Sequence, residues 1–121
     1  MRDIASKGDG LYSCAWCVAE MACVLHRKIR EQVIDAREGA IMRSQFLNDV
    51  RTGVWSLLPV TEHLLYEVDN FIASLSSSVF LRAGDAVHLI AAQRAGFTEI
   101  WTNDRHLGRA AEHAGLTAKA I

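Results

Sequence analysis

The chain has 121 residues, half of them hydrophobic, with one proline, eight glycines and a formal net charge of −1. That is the size of one domain with a real core and no long disordered linker, and its charge makes no global demand for nucleic acid while leaving room for a local basic patch. No apolar run reaches the roughly 18 residues of a membrane span, Met1 to Gly10 lack the apolar stretch of a signal peptide, and an odd count of three cysteines points to a reducing cytoplasm rather than a disulfide framework.

Taken in chain order, residues 1–10 are polar and read as a loop or the tail of a helix. Leu11–Cys14 is a short strand candidate. Ala15–Arg30 reads as a helix, with Val18, Met21, Ala22, Leu25 and Ile29 at three- and four-residue spacings. Its basic end, His26 to Arg30, suits the negative pole of a helix. A second helix spans about Ala36–Arg51, with Ile41, Phe46, Leu47 and Val50 apolar, and Gly53 stops it. Val54–Val60 is strand-like up to Pro59. Thr61 and Glu62 start a helix running to about Leu75, and Ser76–Ser78 is a turn. Gly84–Ala95 is apolar almost all round, the pattern of a buried helix, and Gly96 ends it. Glu99–Thr102 reads as a strand, Asp104–Ala114 as a helix stopped by Gly115, and Thr117–Ile121 as a last strand. Strands alternating with helices predict an α/β fold with a parallel sheet covered on its faces. There is no internal repeat and no low-complexity segment.

Three acids carry the functional reading: Glu20, Asp85 and Asp104. Asp85 and Asp104 each fall at a break before a helical pattern, and the second break also closes a short strand. In an open α/β sheet, strand ends and first helical turns face the ligand crevice. Acids far apart in sequence can converge there. Converging carboxylates repel one another unless a cation neutralises them, which points to a divalent metal and hydrolytic chemistry. Asp is also among the best N-cap residues, so either aspartate is equally read as a cap. Glu20 lies one turn into an apolar helical stretch, where glutamate is rare unless paired or metal-bound; the alternative is an exposed helix face.

The run Leu81-Arg82-Ala83-Gly84-Asp85-Ala86-Val87-His88-Leu89, followed by Ile100-Trp101-Thr102-Asn103-Asp104-Arg105-His106-Leu107 and preceded by Glu20 on its helix, closely resembles the PIN-domain family, the fold of VapC-type toxins of bacterial toxin–antitoxin pairs. The resemblance covers about Leu11 to Ile121 and is most specific over Leu81–Leu116. It implies a single PIN-like domain over residues 1–121, a three-layer α/β/α sandwich with a mainly parallel sheet. It implies a metal-dependent endoribonuclease in which Glu20, Asp85 and Asp104 hold Mg²⁺ or Mn²⁺ and Thr102 supports them. The implied partners are an RNA substrate and a cognate antitoxin, with a homodimer and a cytoplasmic location. Helices Ala36–Arg51 and Thr61–Leu75 are candidate dimer or antitoxin surfaces. One departure stands out. The family opens with a strand carrying a first essential aspartate, and here Asp3 and Asp9 sit in polar, glycine-containing surroundings instead. A strand-and-helix unit of roughly 20–25 residues is read as missing. A start site placed too late, a true truncation or a swapped partner would each account for it, and a catalytically impaired remnant acting through protein binding is the alternative function.

Other signals are weaker. Cys14-Ala15-Trp16-Cys17 has the spacing and strand-to-helix placement of a thiol redox pair, against the simpler reading of small buried cysteines. His88, three residues after Asp85 on the same helix face, reads either as orienting a carboxylate or as a packed histidine. Arg82 and Arg105 flank the two aspartates and are candidate phosphate contacts. Arg27, Lys28 and Arg30 read as a solvated helix end, and Trp16, Trp55 and Trp101 as core or interface residues.

Overall fold

The structure, a computed structural model, describes residues 5–7 and 10–121. Among them the elements run β1 (Ala5–Lys7), β2 (Gly10–Cys14), α1 (Cys17–Arg30), α2 (Ala36–Arg51), β3 (Trp55–Leu58), α3 (Glu62–Ser74), α4 (Ala83–Arg94), β4 (Glu99–Trp101), α5 (Arg105–His113) and β5 (Thr117–Lys119). Local chemistry sets most boundaries. Asp35 opens α2 with a capping box: its Oδ1 accepts from the Glu38 N–H at 2.7 Å, and Glu38 Oε1 accepts from the Asp35 N–H at 3.1 Å. Thr61 caps α3 by accepting from the Leu64 N–H at 3.1 Å. Gly53 ends α2 at φ +86°, a conformation open to glycine and strained for other residues. Gly39 lets α1 and α2 approach, since a Cβ there would stand 2.6 Å from Ile29 Cδ1.

β2 runs parallel to β3, with Leu11 opposite Trp55 and Cys14 opposite Leu58. β4 runs parallel to β5, with Glu99 opposite Thr117. β1 pairs antiparallel with β2, Ala5 opposite Tyr12. The orders β1-β2-β3 and β4-β5 are two separate sheets, and no ladder joins them among the described residues. The reading of residues 1–10 as a loop or helix tail is corrected for residues 5–7, which form a strand. Backbone groups along the edge of β2 offer pairing to any extended segment, and a three-residue strand leaves no hydrophobic period to read. Asp3 and Asp9 lie outside the described residues. In both sheets the described pairings are parallel apart from that of β1 with β2.

Packing around α4 holds the two sheets together. Residues Asp85 to Ala92 are all buried. Leu89 and Ala92 pack with Ile100 of β4 and with Leu107, Ala110 and Ala111 of α5. Val87, Ile90 and Ala91 pack with Cys14 of β2 and Leu64 of α3. The Tyr12 and Phe97 rings meet at 5.2 Å between centroids, adding a contact between β2 and the turn before β4. The helix is thus buried against residues of both sheets. No helix among the described residues is long and apolar enough to cross a membrane.

Candidate functional site

The first turn of α4 is the centre of the site. Arg82 is its N-cap, with extended backbone (φ −87°, ψ 157°) and no side-chain cap bond. Asp85 is therefore the third helical residue, and the reading of Asp85 as a cap is corrected. The helix begins one residue earlier than its apolar pattern, because Ala83 and Gly84 add no apolar period of their own. Asp85 is only 3% exposed, at the positive pole of the helix, which favours a carboxylate. Arg82 Nε lies 3.5 Å from its Oδ2.

Asp104 does cap its helix. Its Oδ1 accepts from the His106 N–H at 2.8 Å and the Leu107 N–H at 3.2 Å. Its Oδ2 accepts from Arg82 Nη2 at 3.3 Å. Buried Thr102 accepts from the Asp104 N–H through its hydroxyl at 3.1 Å, which fixes the turn between β4 and α5. The Thr102 N–H in turn donates to the Lys119 carbonyl at 2.9 Å, extending the β4–β5 ladder. Asp104 is thus anchored to the sheet on one side and to α5 on the other.

Glu20 comes from α1, and α4 holds it. His88, buried one turn beyond Asp85, places Nε2 in a short contact with Glu20 Oε1. A carboxylate only accepts, so Nε2 carries the hydrogen. The second oxygen, Oε2, is 3.4 Å from where a Cβ on Gly84 would stand, and Trp16 Nε1 is 3.0 Å from it. Gly84 therefore leaves the space that Glu20 and Trp16 use. Glu20 remains about a third exposed, so its carboxylate meets both the protein and solvent.

All three acids thus touch the segment from Arg82 to His88: Asp85 within it, Asp104 through Arg82, Glu20 through His88 and Gly84. They do not form a finished metal cage. Among the described residues no group of three His, Cys, Asp or Glu side chains lies close enough to hold a metal as it stands. The donor chemistry nevertheless fits a hard divalent cation, which takes carboxylate oxygens. A cationic guanidinium already stands in at the two aspartates.

Arg105 is exposed at the start of α5, beside Asp104. Arg27 and Arg30 are exposed at the end of α1, where Arg27 pairs with Glu31 at 3.9 Å, a solvated helix end as read. His88 satisfies both of its readings, since it is packed and it orients a carboxylate. Two contributors lacked a role in the sequence reading. Gly84 carries a weak signal, a glycine inside a helical pattern, which often marks a close approach. Trp16 is 40% exposed beside Glu20 rather than in the core, and nothing in its sequence neighbourhood announces that. Cys14 and Cys17 are buried, and burial pushes both thiols above their ordinary value. That is the reverse of an activated thiolate, so the redox reading is not favoured.

Residues 2–113, most of the chain, match the family model described as PIN domain. No curated protein and no solved structure matches.

Proposed function

The chain belongs to the PIN-domain family, and from that premise we propose that it is a metal-dependent endoribonuclease, the toxin of a VapBC-type toxin–antitoxin pair. The family is one of nucleases, which supports a hydrolase acting on phosphodiesters. The observation that carries the finer reading is the gathering of Glu20, Asp85 and Asp104 around one helical turn. These three would hold Mg²⁺ or Mn²⁺. Such an ion, when bound, lowers the pKa of water and stabilises charge developing on phosphate. The chain supplies the rest. Asp85 is buried in the first turn of α4. Asp104 is fixed by its two cap bonds and by Thr102. His88 holds Glu20 toward the first turn of α4. Arg82 and Arg105, both exposed, are our candidates for contact with RNA phosphate.

Partner binding belongs to the same reading. Ile41, Met42 and Leu47 are exposed on α2, and Leu65, Tyr66 and Ile72 on α3. These apolar side chains are our candidates for the dimer or antitoxin surface. A cytoplasmic site of action agrees with three free cysteines.

The test is cleavage of a structured RNA by the purified chain with Mn²⁺, beside Asp85→Asn and Asp104→Asn. We expect cleavage that chelation stops and that each substitution lowers by at least about a hundredfold, the scale of losing one electrostatic group in an active site. Undiminished cleavage by both variants would refute the assignment of these acids. A folded chain that neither binds Mn²⁺ nor cleaves would favour a protein-binding remnant.

A further inference from the structure

Arg82 reaches two acids that belong to different elements. Its Nη2 donates to Asp104 Oδ2 at 3.3 Å, and its Nε lies 3.5 Å from Asp85 Oδ2. The partners differ sharply in exposure: the arginine side chain is 57% exposed, Asp85 4% and Asp104 14%. The acids are held in place by buried structure, while the arginine reaches them from the solvent side on a flexible stem. Asp104 Oδ1 is committed to the α5 cap. Its Oδ2 is therefore the atom that a cation in the crevice would take, and Arg82 holds it. Both contacts are long beside the roughly 2.7–2.9 Å of a strong charge-assisted bond, so the grip is loose. A guanidinium on such terms and a divalent ion compete for the same oxygens.

We infer that Arg82 is an exchangeable counter-cation, and this rests on the metal site proposed above. In the metal-free protein it offsets the repulsion between Asp85 and Asp104. On metal binding it gives up both Oδ2 atoms and turns toward the phosphate backbone of the substrate. It is a positioning residue in the first state and a phosphate contact in the second. Metal and phosphate binding are then coupled through one side chain, each favouring the arrangement the other needs. Arg82 thereby lowers the affinity of the free protein for metal and raises that of the loaded protein for nucleic acid.

The experiment is a calorimetric Mn²⁺ titration of the whole chain, comparing wild type with Arg82→Gln, Arg82→Lys and Asp85→Asn. Removing a competitor held by two partly buried contacts should tighten Mn²⁺ binding on the order of tenfold in Arg82→Gln. Arg82→Lys should fall between that and wild type, and Asp85→Asn should abolish binding. Arg82→Gln no tighter than wild type, with Asp85→Asn still abolishing binding, overturns the exchange and leaves the metal site standing. Equal binding in wild type and Asp85→Asn overturns the metal site and the exchange with it. A second readout needs no folded variant: the Nε–Hε resonance of Arg82 in the wild-type chain, followed by NMR during Mg²⁺ addition. It should move with saturation of the site, and a resonance that stays put while Mg²⁺ binds overturns the exchange.

Discussion

Asp104 carries two duties that substitution can separate. One oxygen caps α5 and the other faces Arg82. Asp104→Ala removes both. Loss of an N-cap costs about 1 kcal/mol, and loss of an ion pair whose arginine is mostly exposed adds at most about 1 kcal/mol. The sum, about 1–2 kcal/mol, lowers the melting temperature by roughly 4–8 °C in a domain of this size. Asp104→Asn keeps an amide oxygen in place of Oδ1, and Asn caps as well as Asp. It should lose only the ion-pair part, less than about 1 kcal/mol. Both variants lose the carboxylate that would face the metal, so both should lose Mn²⁺ binding. Urea denaturation with a chelator present reads the stability difference without a metal contribution, and calorimetry reads the binding. Asp104→Asn as unstable as Asp104→Ala would show that the cap geometry does not carry the stability. Asp104→Asn with wild-type Mn²⁺ affinity would remove Asp104 from the proposed site.

Three further outcomes follow from the same geometry. His88→Ala should weaken Mn²⁺ binding and cleavage by freeing Glu20, and His88→Gln, which keeps an N–H donor, should recover part of the loss; equal loss in both would reduce His88 to a packing role. Leu89 is fully buried between α4 and α5, so Leu89→Ala should cost about 2–5 kcal/mol in urea denaturation, and a cost under 1 kcal/mol would mean that this interface is not the core. Burial raises the Cys14 and Cys17 thiols above 9.0, so the folded state favours the neutral form: their contribution is full below pH 9 and declines as pH rises toward the folded values, by up to about 1.4 kcal/mol per pH unit per thiol. Replacing both by alanine should flatten that part of the alkaline decline, and an unchanged slope would contradict the burial argument.

Most elements were legible because their signals are local. Apolar spacing marks α1 and α2, and Gly53, Gly96 and Gly115 all take positive φ where a stop was expected. The all-round apolar run of α4 correctly predicted a buried helix. β1 was not legible. Three residues held by backbone pairing to β2 leave no periodic trace, and their partner is chosen by the edge they meet, not by their side chains.

The site divides along the same line. Sequence could say that Asp85 and Asp104 stand at the starts of helices, because a break followed by an apolar period is a local pattern. It could not say which oxygen of Asp104 is consumed by its cap and which faces the crevice, although that division decides what a cation can reach. Nor could it join His88 to Glu20 across the α1–α4 interface, since a lone histidine in an apolar helix carries no mark of its partner. These are consequences of where α4 is buried. Among the described residues, α4 packs against residues of both sheets, and at its first turn groups from α1, α4 and the β4–α5 turn come within reach of one another. A destabilising change in the α4 core should therefore disperse Glu20 and Asp104 from Asp85 before it melts the separate strand pairs, and metal affinity should fail at lower urea than the far-ultraviolet signal.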